Sequence, residues 1–133
     1  SLNNILEYDK FIAALTRVRE HLKMGGCFLF DLNTAYAFEM RMFDQKETDK
    51  HAKVRYRWIS HWDRDNKICR IDMEFWTNTE KFAETHWQKA YTNEEIFEAM
   101  QKAGFQRVRI YDAYSLNPPR AKSDRIHVLG IAP

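Results

Sequence analysis

The chain has 133 residues, 44% hydrophobic, 14% aromatic and 30% charged, with a formal net charge of +2. That length suits one domain able to bury a real core, and so small a charge does not by itself argue for a nucleic-acid partner. No run approaches the about 18 apolar residues of a membrane span, no signal-peptide pattern opens the chain, and four scattered glycines exclude a glycine-rich nucleotide cradle among these residues.

Taken in order, Tyr8, Phe11, Ile12, Leu15, Val18 and Leu22 recur at three- and four-residue spacing, which predicts a helix over 8–22 with one apolar face. Gly25 or Gly26 then supplies the left-handed residue that stops it. Cys27–Leu32 is apolar without alternation, the pattern of a strand in the middle of a parallel sheet with helices on both faces. It delivers Asp31 and Asn33 to the carboxyl edge of the sheet, where open α/β folds bind ligands. A short helix over 36–43 follows, and the polar run 44–53 reads as loop.

From Val54 the pattern alternates strictly, with Val54, Tyr56, Trp58, Ser60 and Trp62 on one face and Arg55, Arg57 and Ile59 on the other. A turn at 63–66 that pairs Trp62 with Lys67 sets Arg57 against Asp72, Arg55 against Glu74, Trp58 against Ile71 and Val54 against Phe75. One register then satisfies both faces. A third strand over 82–91 turns back at Asn78-Thr79 and sets Phe82 against Phe75. It places Glu84, His86 and Gln88 on the face carrying Met73 and Ile71. Buried polar groups are costly unless hydrogen-bonded, so this face is a mutual hydrogen-bond network, a wet surface or a binding surface.

Thr92-Asn93-Glu94-Glu95 is a capping box. It opens a helix with Ile96, Phe97, Met100 and Ala103 inward, closed by Gly104. Strands over 105–113 and 126–132 flank the loop Asn117-Pro118-Pro119, which cannot be helix or central strand. Cys27 and Cys69 fall in predicted strands without metal-ligand spacing and read as buried free thiols of a reducing cytoplasm.

The ordered set resembles the second half of class I S-adenosylmethionine-dependent methyltransferases. It runs helix, Leu22-Lys23-Met24-Gly25-Gly26, buried strand, antiparallel insertion, Ala90-Tyr91-Thr92 opening a helix, Ala103-Gly104-Phe105, strand, loop and strand. Met24 stands where the family's Leu-Lys-Pro-Gly-Gly has proline. The stretch Glu84–Tyr91 is similar to the last insertion strand of small-molecule and amino-sugar methyltransferases. The resemblance implies a partial Rossmann-like doubly wound α/β fold with an inserted antiparallel sheet. Its segments would be 1–43 (helix, central strand, short helix), 44–91 (insertion) and 92–133 (helix and terminal strand pair). It further implies S-adenosylmethionine as co-substrate and a small-molecule acceptor. Ser1, Leu2 and Asn3 match the stretch after the family's fourth strand, which touches the cofactor. The family's first half has no counterpart here, so the chain alone is expected to be inactive. The free edge of Cys27–Leu32 is expected to pair with that missing half or with a second copy of the chain.

Within that frame His86 is the general-base candidate, since an imidazole exchanges protons near neutral pH, with Glu84 two residues away to orient it. A packed core histidine is the alternative. Trp58 and Tyr91 fit walls of an acceptor pocket, where aromatic faces favour a cation, or plain sheet packing. Asp31 and Asn33 fit a pocket lining or a turn and cap. Arg125 fits an anionic substrate group or a surface pair. His21, His51, His61 and His127 show no ligand grouping, so no metal is expected. Two other classes remain open: a non-catalytic small-ligand-binding module, favoured by a closed apolar cavity, and an interaction surface built from Arg55, Arg57, Arg64, Arg70 and the tryptophans. Charge pairing within the hairpin opposes the second.

Overall fold

The structure, a computed structural model, describes residues 1–133. Two antiparallel sheets divide the chain. Strands β1 (Cys27–Asn33), β6 (Gln106–Asp112) and β7 (Arg125–Ile131) form one, in the order β1-β7-β6. Strands β2 (Gln45–Glu47), β3 (Arg55–Asp63), β4 (Ile68–Trp76) and β5 (Lys81–Lys89) form the other, in sequence order. Helices α1 (Tyr8–His21) and α3 (Asn93–Lys102) pack on the first sheet, and the short α2 (Ala35–Glu39) serves the second. No helix is long and apolar enough to cross a membrane.

The main core joins Phe11 and Leu15 of α1, Ile96, Ala99 and Met100 of α3, and Leu32, Ile126 and Val128 of the sheet. Even-numbered residues of β1 and β7 therefore face the helices. Phe28 stacks on Phe30 at 4.8 Å, and Gly130 lies so close to α3 that an added Cβ would meet Met100 Cε at 2.5 Å. Odd-numbered residues face away, and Leu29 is 59% exposed.

Within this chain β1 departs from the expected parallel, two-sided pattern, while its free edge is as expected. Its one neighbour, β7, runs antiparallel, one face is covered, and the other edge carries no partner strand. Cys27 is exposed for the same reason, contrary to expectation, while Cys69 is buried and burial pushes its thiol up to about 11. Phe97 is likewise exposed rather than inward; the residues facing the core along α3 are Ile96, Ala99, Met100 and Ala103, the i, i+3, i+4, i+7 stripe.

In the second sheet the β3–β4 register differs from expectation by two residues. Trp62 lies opposite Cys69, Trp58 opposite Met73 and Arg57 opposite Glu74, with an Arg57–Glu74 ion pair of 3.0 Å. A two-residue slip keeps every side chain on its face, so the alternation holds while the charge partners change. The turn decides it: Asp63 accepts from the amides of Asp65 and Asn66 and from the Asn66 side chain, and Lys67 takes φ +54. The β4–β5 register matches expectation, with Phe75 opposite Phe82, Met73 opposite Glu84 and Ile71 opposite His86.

Strand β2 falls inside the stretch expected to be loop. It pairs Gln45 with Trp58 and Glu47 with Tyr56. Beside it, the Asp44 carboxylate accepts from the Ser60 amide at 2.7 Å and hydroxyl at 2.6 Å, and pairs with Arg41. Burial works to raise this carboxyl, but those hydrogen bonds outweigh it and hold Asp44 below the usual carboxylate range.

Candidate acceptor cleft

Helices α1 and α3 seal one face of the first sheet, so the carboxyl end of β1 opens toward α2 and the β6–β7 connection. A cleft of about 430 Å³ forms there. Strand β1 contributes Asn33, α2 and the residues after it contribute Ala37, Met42 and Phe43, β2 contributes Gln45, the β6–β7 connection contributes Tyr114 and Asp124, and the start of β7 contributes Arg125.

The β1–β7 register places Asn33 opposite Arg125 and Asp31 opposite His127, all on the face that the helices leave bare. Arg125 Nε lies 3.6 Å from the Asp31 carboxylate, and its Nη1 lies 3.5 Å from the Tyr114 hydroxyl. Both contacts are long, and an exposed pair at that separation contributes little. The guanidinium is held near the cleft yet remains available to another acceptor of hydrogen bonds. Tyr114 stands at the rim with φ +59, 82% exposed, its ring edge-on to His127 at 4.9 Å.

The sequence candidates separate in three dimensions. Asn33 and Arg125 line the cleft, Asp31 sits beside Arg125, and half-buried Trp58 pairs with the cleft residue Gln45. Tyr91 is buried away from it. Its ring stacks on Phe11 at 4.2 Å, its hydroxyl donates to the Ile5 carbonyl, and burial lifts its pKa to about 12. Tyr91 does border a separate recess of about 190 Å³ with Thr34 and Thr92. His86 Nε2 lies 3.1 Å from the Glu84 carboxylate, the contact expected of a base and its orienting group, but both stand half-exposed on β5, outside the cleft lining.

Leu2–Asn4 form a short 3₁₀ turn capped by Ser1. Leu2 packs against the main core. Fully buried Asn3 donates from Nδ2 to the carbonyls of Asn33 and Lys89, and accepts at Oδ1 from the Asn33 amide and the Ser1 hydroxyl. A carboxamide offers two donors and two lone pairs, so the Asn3 side chain is fully engaged within the fold. With the Asn3 side chain engaged in this way and no glycine cradle in the chain, residues 1–3 could meet S-adenosylmethionine only through backbone atoms.

Sequence reasoning missed Met42, Phe43, Gln45 and Tyr114. Gln45 lies on the strand read as loop. Tyr114 owes its place to a left-handed conformation that no glycine or asparagine announces.

No family model matches the chain. Among curated proteins it is 28% identical over 130 residues to "Putative methyltransferase YqeM" of Bacillus subtilis (strain 168), a match covering 95% of this chain and 53% of that protein. A solved S-adenosylmethionine-dependent methyltransferase from Clostridium acetobutylicum ATCC 824 superposes with TM-score 0.83 at 24% identity, covering 98% of this chain and 54% of that one. CalS10, an amino pentose methyltransferase from Micromonospora echinaspora solved with S-adenosylmethionine bound, superposes with TM-score 0.65 at 13% identity, covering 99% and 54%. The chain spans about half the length of the curated relatives it matches. It has the fold of the C-terminal half of a class I S-adenosylmethionine-dependent methyltransferase.

Proposed function

We propose that this chain is the acceptor-side half of an S-adenosylmethionine-dependent methyltransferase for a small molecule, with the acceptor seated in the Asn33–Arg125–Tyr114 cleft. The supporting observation is the match of 98% of the chain to half of such an enzyme, with a polar cleft at the carboxyl end of β1. The cofactor contacts then come from the half of the relatives that this chain does not span. The bare edge of β1 is where that half would pair.

Methyl transfer is dominated by alignment of the attacking atom, and an unprotonated amine needs no general base. The chain's share is therefore positioning. Arg125 would take an anionic or hydroxyl group, Asp124 an ammonium or hydroxyl donor, and Asn33 and Gln45 further hydroxyls, with Phe43 and Tyr114 as walls. An amino sugar, the acceptor class named for CalS10, offers such groups. The free thiols Cys27 and Cys69 agree with a reducing cytoplasmic setting.

Calorimetry with S-adenosylhomocysteine tests the reading, run on this chain and on this chain joined to the N-terminal half of the Clostridium acetobutylicum enzyme. Binding to the joined protein alone is expected; no binding to either overturns the proposal. In the joined protein, methylation of a panel of small polar amines should fall about tenfold in kcat/KM on Arg125→Ala, a loss of about 1.4 kcal/mol, with S-adenosylhomocysteine affinity unchanged.

A further inference from the structure

Strand β5 is the outer strand of the second sheet. Its nine residues, Lys81–Lys89, pair with β4 without a bulge, and Lys81 through Trp87 are all exposed. A long regular edge is a template for another strand, and proteins commonly blunt it with proline, bulges or inward charges. Here lysines at its two ends and the Glu84–His86 pair on the Met73–Ile71 face are the only such devices, and neither breaks the backbone edge.

The hydrogen bonds at either end of β5 reveal which way its backbone faces. The Ala90 amide donates to the Lys67 carbonyl and the Thr77 amide donates to the Glu80 carbonyl. Even-numbered residues therefore address β4, because ladder bonds alternate along an antiparallel strand. Odd-numbered residues 81, 83, 85, 87 and 89 aim their amides and carbonyls at the free edge. Asn3 already occupies the Lys89 carbonyl from that side, and the groups of Lys81, Ala83, Thr85 and Trp87 stay open.

We propose that β5 pairs antiparallel with β5 of a second copy of this chain, about a twofold axis at Thr85, joining two four-stranded sheets into one. This register sets Glu84 of each copy opposite His86 of the other. Since Glu84 and His86 already touch within one strand at 3.1 Å, the four side chains close a ring of alternating partners. On the opposite face Thr85 meets its own copy, and Ala83 leaves room for the half-exposed Trp87 indole, which lies 5.9 Å from the Arg70 guanidinium. Cross-strand pairs of these kinds are favourable, and like charges placed opposite are not. Moving the axis to Glu84 would set carboxylate against carboxylate. Lys81 and Lys89 oppose each other at the ends, but Lys89 Nζ is drawn back to the Asn66 carbonyl at 2.7 Å.

Sedimentation equilibrium and light scattering of the chain test this. The wild type should dimerise, and Thr85→Pro should be monomeric with unaltered circular dichroism, because the lost amide points away from β4 and proline is tolerated there. Glu84→Lys should also dissociate the dimer, and Glu84→Lys combined with His86→Glu should restore it. In a Cys27→Ser background, Thr85→Cys should cross-link to a covalent dimer and Ala83→Cys should not, since only residues across the axis come within disulfide reach. A wild type monomeric at every concentration overturns the proposal. So does a dimer that survives Thr85→Pro, which would assign association to another surface such as the β1 edge.

Discussion

Asn3 and Asn33, thirty residues apart, are joined twice: the Asn3 carboxamide donates to the Asn33 carbonyl at 3.1 Å and accepts from the Asn33 amide at 2.9 Å. The same carboxamide holds the Lys89 carbonyl at 3.0 Å, and the Asn33 side chain reaches Gln88. One buried side chain thus ties the start of the chain, the carboxyl end of β1 and the end of β5, and Asn33 among them lines the cleft.

Asn3→Ala should therefore cost more than a surface substitution. It leaves an amide and two carbonyls without partners, and each unsatisfied buried group costs about 1–3 kcal/mol. A net loss of about 3 kcal/mol, with the melting temperature lower by roughly 10 °C, is expected. Asn3→Asp should be no better, since it turns a carboxylate toward two carbonyls. Thermal denaturation measures the loss, and hydrogen exchange at the Asn33 amide should show it locally. Equal stability of Asn3→Ala and wild type would remove the latch from the account.

A second tie titrates. Glu95 accepts from Lys67 Nζ at 2.8 Å and from the Thr92 amide at 3.0 Å, linking the cap of α3 to the β3–β4 turn. Burial works to raise its carboxyl, but the Lys67 and Thr92 hydrogen bonds win and hold its pKa below the usual 4.5. A carboxyl depressed in the folded state stabilises above its unfolded pKa, and the contribution is lost as pH falls through the folded value. Glu95→Gln should accordingly destabilise at pH 7 and matter progressively less below about pH 4. Urea denaturation of both proteins from pH 7 to pH 3 checks this, and parallel curves across that range would exclude the linkage.

The sequence carried the fold where a local rule and a long-range pattern agreed. The α3 capping box reads directly, and the Phe75–Phe82 stack at 5.0 Å rewards the same β4–β5 register that the turn at Asn78-Thr79 requires. It failed where the deciding term was absent from the pattern. Either β3–β4 register pairs arginine with a carboxylate, and the choice falls to the Asp63 turn and a left-handed Lys67. Gln45-Lys46-Glu47 has no strand signal of its own; its partners Tyr56 and Trp58, with Asp44 bound to Ser60, make it a strand. For the cleft, Asn33 and Arg125 were legible as polar residues at strand ends. Tyr114 was not, since its position depends on backbone strain rather than residue type.

Gly130 offers a test of how tightly α3 is seated on the first sheet. Its φ lies outside the left-handed region, so space and not backbone freedom is what demands glycine there. A Cβ would meet Met100 Cε at 2.5 Å and, behind it, the Phe105 ring at 3.0 Å and Cβ at 3.1 Å. The methionine end can swing aside, but Phe105 is 3% exposed and packed against Phe28 at 6.2 Å, so its ring has little room to retreat. Overpacking of this kind costs about 1–3 kcal/mol, and Gly130→Ala should fall in that range. Gly130→Ala combined with Met100→Ala should not recover stability, because truncating a buried methionine itself costs about 2–5 kcal/mol. Recovery by Met100→Ala would show that the methionine alone supplies the obstruction and that Phe105 yields freely.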